Sequence, residues 1–302
     1  MKRNILTLSY LIPILLTFIF ICTNALAWTR NLTFESGISG SDGFSGAGST
    51  VDRSQSQVHS GNYAARVYFR AGDRCWDSAL TCGAIFNSFP ERVGDGDEMW
   101  TRVYAYFPNG WDWGDQSGKG NWRKFLRYTI GTRGNISIQG VWDGGSNAQI
   151  LGNTEAGNYY SYNAQFTGKN FPIGRWFSLE MYVRFGTTDA TTTHRLWLDG
   201  ELIFDSSNDS TNNPVLGSSS DTCTRILFFT YWNDAVRTSQ YAYLDDILIT
   251  TDTPSNRDSK GNPMIGPGNF SSSSNSGDNT TTTDTPQATT VETPKNLRII
   301  SN

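Results

Sequence analysis

Along residues 175–185 apolar and polar side chains alternate without a break. Phe177, Leu179, Met181, Val183 and Phe185 fall on one parity; Trp176, Ser178, Glu180, Tyr182 and Arg184 fall on the other. Successive side chains of a strand point to opposite faces, so this stretch predicts a β-strand with one dry face. Its second face carries a tryptophan, a carboxylate, a phenol and a guanidinium, residue types that line sugar-binding grooves. An ordinary outer sheet face of amphipathic side chains accounts for that parity equally well.

Residues 99–107 repeat the pattern, with Trp100, Arg102, Tyr104 and Tyr106 on one face and Thr101, Val103, Ala105 and Phe107 on the other. Further strands are expected at 28–34, 64–69, 123–130, 136–142, 225–232 and 241–250. Residues 194–204 read as a β-hairpin, because Asp199-Gly200 between apolar runs supplies the positive φ of a type I′ turn. No long helical period occurs. Many short strands separated by Gly, Pro and Asn turns predict an all-β chain, a two-sheet antiparallel jelly-roll sandwich.

The ends of the chain differ from this middle. Lys2 and Arg3 precede an apolar run over 6–21, and Ala25-Leu26-Ala27 offers a small-x-small cleavage site, so 1–27 reads as a secretory signal. A retained anchor is the alternative, given the length of the run. Cleavage leaves a secreted, periplasmic or cell-surface protein with no membrane segment. The sandwich is expected over 28–251. Residues 252–293 turn to Ser, Thr, Asn, Gly and Pro and read as a linker that cannot bury enough apolar surface to order itself. Residues 294–302 form a tail or the first strand of a further module.

Composition sharpens the class. Aromatic residues make up 13% of the chain and charged residues 17%, with 30 Gly, which suits strands and turns. A net charge of -4 provides no general attraction for nucleic acid, so an anionic partner must be met locally. Of four cysteines, Cys22 leaves with the signal, Cys75 and Cys82 are near enough for a loop-closing disulfide in an oxidising compartment, and Cys223 remains as a core thiol. Two histidines, neither spaced to a Cys pair, argue against zinc. Nucleophile elbows, phosphate loops and paired strand carboxylates are absent as motifs.

What remains is a set of groove candidates on alternating strands: Arg102 and Tyr104; Lys124 and Arg127; Gln139 and Trp142; Tyr160 and Tyr162; Glu180, Tyr182 and Arg184; Tyr231. Aromatic faces stack on sugar rings, and Arg or Lys pairs with a uronate carboxylate. Trp100-Thr101-Arg102-Val103-Tyr104, Lys124-Phe125-Leu126-Arg127, Trp176 with Glu180, Trp197-Leu198-Asp199-Gly200 and Tyr243-Leu244-Asp245-Asp246 follow in order. In these the chain resembles the concanavalin A-like jelly-roll superfamily, and within it polysaccharide lyases of the alginate and glucuronan type. One such lyase family uses a strand Lys, then Ser-x-Arg, then Tyr-x-Tyr. Here Lys124, Ser137-Ile138-Gln139 and Tyr160-Ser161-Tyr162 stand in that order, with Gln139 in place of the Arg.

The resemblance implies β-elimination on an anionic polysaccharide, with no catalytic cofactor. Arg127, Arg184 or Gln139 would neutralise the uronate, and Tyr160, Tyr162 or Tyr182 would handle protons beside Lys124. That reading requires Lys124, Gln139, Glu180, Tyr182 and Arg184 to meet in one concave groove. It also implies a structural calcium tying first and last strands through Glu35, Asp245 and Asp246. Two alternatives use the same residues: a noncatalytic carbohydrate-binding or lectin module, and a glycoside hydrolase pairing Glu180 with Glu98 or Asp143.

Overall fold

The computed structural model describes residues 26–38, 44–46, 51–73, 82–114, 122–130, 134–142, 148–156, 162–207, 216–232 and 235–269; at 122, 134–142, 153–156 and 162–165 it describes the backbone. The strands, in chain order, are β1 (Thr29–Leu32), β2 (Phe44–Gly46), β3 (Val51–Ser54), β4 (Ala64–Phe69), β5 (Ala84–Phe86), β6 (Glu98–Tyr106), β7 (Trp122–Ile130) and β8 (Gly134–Trp142). There follow β9 (Ala148–Ala156), β10 (Tyr162–Asn170), β11 (Trp176–Arg184), β12 (Thr193–Leu198), β13 (Glu201–Asp205), β14 (Cys223–Trp232) and β15 (Gln240–Thr250). They form two antiparallel sheets. The first runs β13-β12-β11-β6-β15-β4-β3, with β1 also paired to β15; the second runs β10-β9-β8-β7-β14-β5-β2. This is the expected all-β jelly-roll sandwich.

The core lies where the two inner parities meet. Phe177, Leu179, Met181, Val183 and Phe185 of the alternating stretch join Val103 and Ala105 from β6, Phe107 just after it, and Phe125, Tyr128 and Phe228 from the opposite sheet. Phe107 packs against Trp111, Trp113, Phe125, Phe171, Phe177 and Phe229 at centroid distances of 4.8–6.0 Å. The β12–β13 hairpin has the two-residue turn expected of it. Asp199 (φ 50°) and Gly200 (φ 83°) both take positive φ, as type I′ requires. The Asp199 carboxylate then accepts from the Ser178 N–H at 2.9 Å and from Arg175 at 2.7 Å, fastening the hairpin to β11.

The polar parity of β11 is not a groove. Ser178, Glu180 and Tyr182 are as buried as the apolar parity. Residues 253–268, expected within the linker, cross this face as a strap. Glu180 accepts from the backbone N–H of Ile265 (2.7 Å) and Gly266 (2.8 Å). Arg102 donates through Nη1 to the carbonyls of Gly266 (2.9 Å) and Gly268 (2.6 Å). The indoles of Trp100 and Trp197 donate to the Pro263 carbonyl and the Asp258 carboxylate. Ile265 is fully buried in a second apolar cluster with Trp100, Tyr182, Trp197 and Leu248. Composition missed this segment because its Ser, Asn and Pro residues make turns, while Met264 and Ile265 supply the apolar contact.

Candidate functional site

The candidates divide between the two sheets. Glu180, Tyr182, Arg184, Arg102 and Tyr104 belong to β11 and β6 of the first sheet; Lys124, Arg127, Gln139, Trp142, Tyr162 and Tyr231 belong to the second. Tyr160 and Asp143 lie outside the described residues. The single groove that would join Lys124 and Gln139 to Glu180, Tyr182 and Arg184 therefore does not form, since the hydrophobic core separates the two outer faces, and the catalytic reading that required these five residues to converge fails in that form.

On the first sheet, burial removes the roles expected of Glu180 and Tyr182. The strap shields Glu180, and desolvation raises its pKa to about 7 against the pull of the Gly266 and Ile265 N–H groups and Arg102. In this arrangement no substrate reaches it, which also removes the hydrolase pairing built on it. Tyr182 donates to Glu98 at 2.8 Å. Burial, with the Glu98 charge behind it, pushes the phenol upward, the reverse of what a proton-abstracting phenolate needs. Arg184 ends β11 exposed.

The acids expected to hold calcium grip one turn instead. Glu35 accepts the N–H groups of Asn62 and Tyr63 and the amide of Asn62. A β-bulge in β15, with Asp246 at φ 43°, lets consecutive carboxylates face the same turn. Asp245 accepts from the N–H groups of His59, Ser60 and Asp246, and Asp246 contacts the His59 ring and the Ser60 hydroxyl. Each of these oxygens meets a protein hydrogen-bonding group, so the set as arranged does not fit a cation. Among the described residues no group of three or more His, Cys, Asp or Glu could hold a metal ion. Cys75 lies outside the described residues; Cys82 is buried, and Cys223 is a buried free thiol whose pKa is raised by burial.

On the second sheet the register builds a row across five strands. Tyr231 pairs with Lys124, Lys124 with Gln139, Gln139 with Leu151, and Leu151 with Phe166. Directly opposed residues of antiparallel strands share a face. This is the outer face, because the neighbouring positions Leu126, Ile150 and Phe228 are in the core. The Lys124 ammonium lies 4.6 Å from the centre of the Tyr231 ring. Beside that row runs a second: Ile85, Leu227, Arg127, Ser137 and Asn153. Arg127 reaches Thr230 Oγ1 at 3.4 Å.

Lys124 (7% exposed) and Arg127 (1%) are thus two cations held out of water on a sheet face. Tyr162 pairs with Glu155, two rows from Lys124 and beyond the Arg127 row, and Trp142 pairs with Ala148, a core residue, out of phase with Gln139. Sequence reasoning missed Phe166, a residue 62% exposed at the sheet edge, because β9 and β10 lack a marked apolar parity. It also missed His59, although it is one of only two histidines.

No protein-family model matches the chain, and no curated protein is similar to it in sequence. Similar solved structures include an alginate lyase mutant in complex with an alginate trisaccharide, with 13% identity, 73% of this chain and 97% of that chain covered, and a TM-score of 0.51. An endo-β-1,4-glucuronan lyase from the fungus Trichoderma reesei aligns with 10% identity over 74% of this chain and 94% of that one, at a TM-score of 0.47. A cellulose-induced protein aligns with 17% identity over 74% and 97%, at 0.46. The chain therefore has the concanavalin A-like jelly-roll fold and resembles, in fold, the alginate lyase.

Proposed function

We propose that this chain is a secreted polysaccharide lyase that cleaves an acidic, uronate-containing polysaccharide on the outer face of the second sheet. The observation that carries the proposal is the cross-strand row in which Lys124 stands between Tyr231 and Gln139. In β-elimination the uronate carboxylate is neutralised, which acidifies the C5 hydrogen. A base then takes that proton, its electron pair forms the C4–C5 double bond, and the C4–O bond breaks as an acid protonates the departing oxygen. The Gln139 amide and the Arg127 guanidinium are suited to the carboxylate, and Tyr231 to stacking on a sugar ring. Lys124 is suited to proton handling, while Tyr162 stands two rows away, beyond the Arg127 row. This set is smaller than the sequence suggested and leaves out Glu180 and Tyr182.

Incubating the purified protein with alginate, glucuronan and related uronans, and following the ultraviolet absorbance of the unsaturated product, tests the proposal. Lys124→Ala is expected to lower the rate by about 100- to 10,000-fold, the span of a general acid–base group. Glycan binding without unsaturated product from any uronan would sink the lyase reading and leave a binding module on the same face.

A further inference from the structure

We propose that the first sheet carries a second glycan site, separate from the Lys124 face, that binds a uronate residue. A cleft of about 510 Å³ opens beside the end of the strap, between β1, the 59–60 turn and Gly268. That size is within the range of small-molecule sites. One wall is an aromatic stack: the His59 ring lies 3.6 Å from the Tyr104 ring at 17° and meets Trp176 edge-on at 5.7 Å. His59 is fixed by Asp246, 2.6 Å from Nδ1, and Ser60 donates to the same carboxylate at 2.9 Å.

Arg102 also lines the cleft. It is 5% exposed, lies against the Tyr104 ring at 5.1 Å, and spends only Nη1 on the strap carbonyls. Its Nε is buried without a hydrogen-bond partner among the described residues, so Nη2 is the donor left to face the cleft. A desolvated guanidinium with donors to spare is a carboxylate receptor. Asn31 and Thr29 of β1 add amide and hydroxyl groups, and Leu248 an apolar patch. Flat aromatic surface, short polar groups and one buried guanidinium together match a sugar ring bearing a carboxylate. Asp246 is turned into its His59 and Ser60 contacts, which leaves the guanidinium as the charged group that meets the ligand.

The chain contains two histidines, and the other, His194, is wholly buried in the sandwich. Imidazole NMR signals of the full chain therefore report this cleft with an internal control. D-glucuronate, D-glucose and inorganic phosphate would each be titrated into the parent protein and into Lys124→Ala. The expected result is movement of the His59 signal by glucuronate, far less by glucose or phosphate, a still His194 signal, and the same response in Lys124→Ala.

Asn31→Asp, an exposed position on β1, should weaken glucuronate about tenfold through like-charge repulsion. An unmoved His59 signal overturns the inference, as does an equal response to glucose or phosphate. Loss of the response in Lys124→Ala overturns it too, by moving the site to the other face. Because the readout is binding at His59 and not product formation, its failure is distinct from failure of the lyase reading.

Discussion

His194 lies wholly inside the sandwich, edge-on to Phe204, with neither ring nitrogen hydrogen-bonded among the described residues. Burial lowers its pKa from 6.5 to about 3. Between those values the unfolded chain takes up a proton that the folded chain refuses, so stability is lost as pH falls below 6.5. His194→Leu should remove that slope. It should also raise stability near neutrality by about 1–3 kcal/mol, the cost of an unpaired buried polar group. Denaturant titrations on either side of pH 6.5 check this; a loss of stability would mean that the nitrogens find partners. Glu180 has the opposite sign. Its folded pKa is raised from 4.5 to about 7, so the unfolded chain releases a proton that the folded chain keeps, and stability falls as pH rises through that window. Glu180→Gln should abolish that fall, read as the parent-minus-variant difference in unfolding free energy. The two slopes oppose each other between pH 4.5 and 6.5, so each variant should show a dependence that the parent masks.

Among the elements, the strap over residues 253–268 changes the reading of the first sheet most. Its conformation is held by local bonds: Asp258 accepts from the N–H groups of Lys260 and Asn262 and from the Asn262 amide, closing a turn that delivers Ile265 to the sheet. A chain cut after Asp252 would uncover Trp100, Tyr182, Trp197 and Leu248. Each buried side chain of this size contributes on the order of 1.5–3 kcal/mol. The cut should therefore cost several kcal/mol, lower Tm and create binding of an apolar dye. An unchanged Tm would show that the strap is not docked in solution. On the second sheet the corresponding element is β7. A bulge between Lys124 and Leu126 returns Phe125 and Leu126 to the core while keeping Lys124 in register with Tyr231 and Gln139.

For the whole molecule, the sandwich presents two outer faces with different fates, one strapped except for the Arg102 cleft, the other crossed by the Lys124 row. Much of the fold was legible from the chain alone. The parity of 175–185 and 99–107 gave the inner face of β11 and β6, and Asp199-Gly200 gave the hairpin turn, because side-chain direction and turn dihedrals are local properties. The candidate site was legible only as a roster of residue types. Parity says that Glu180 and Phe177 face opposite ways, as do Lys124 and Phe125; it does not say which sheet either strand joins. Sheet membership follows from pairings between residues far apart in sequence, β7 with β14 and β6 with β15, and those pairings put Lys124 and Glu180 on opposite sides of the core. Nor can a linear composition reveal that fourteen-odd polar and turn-forming residues fold back over a tryptophan pair, since the free energy comes from the surface they cover and not from the segment itself. The residue pattern specified the strongly alternating strands, their dry faces and one turn, but not β2, β3, β5, β9 or β10, whose short or weakly patterned segments become strands through their neighbours. Tertiary structure alone decided which polar faces meet solvent, because burial is a property of two surfaces brought together.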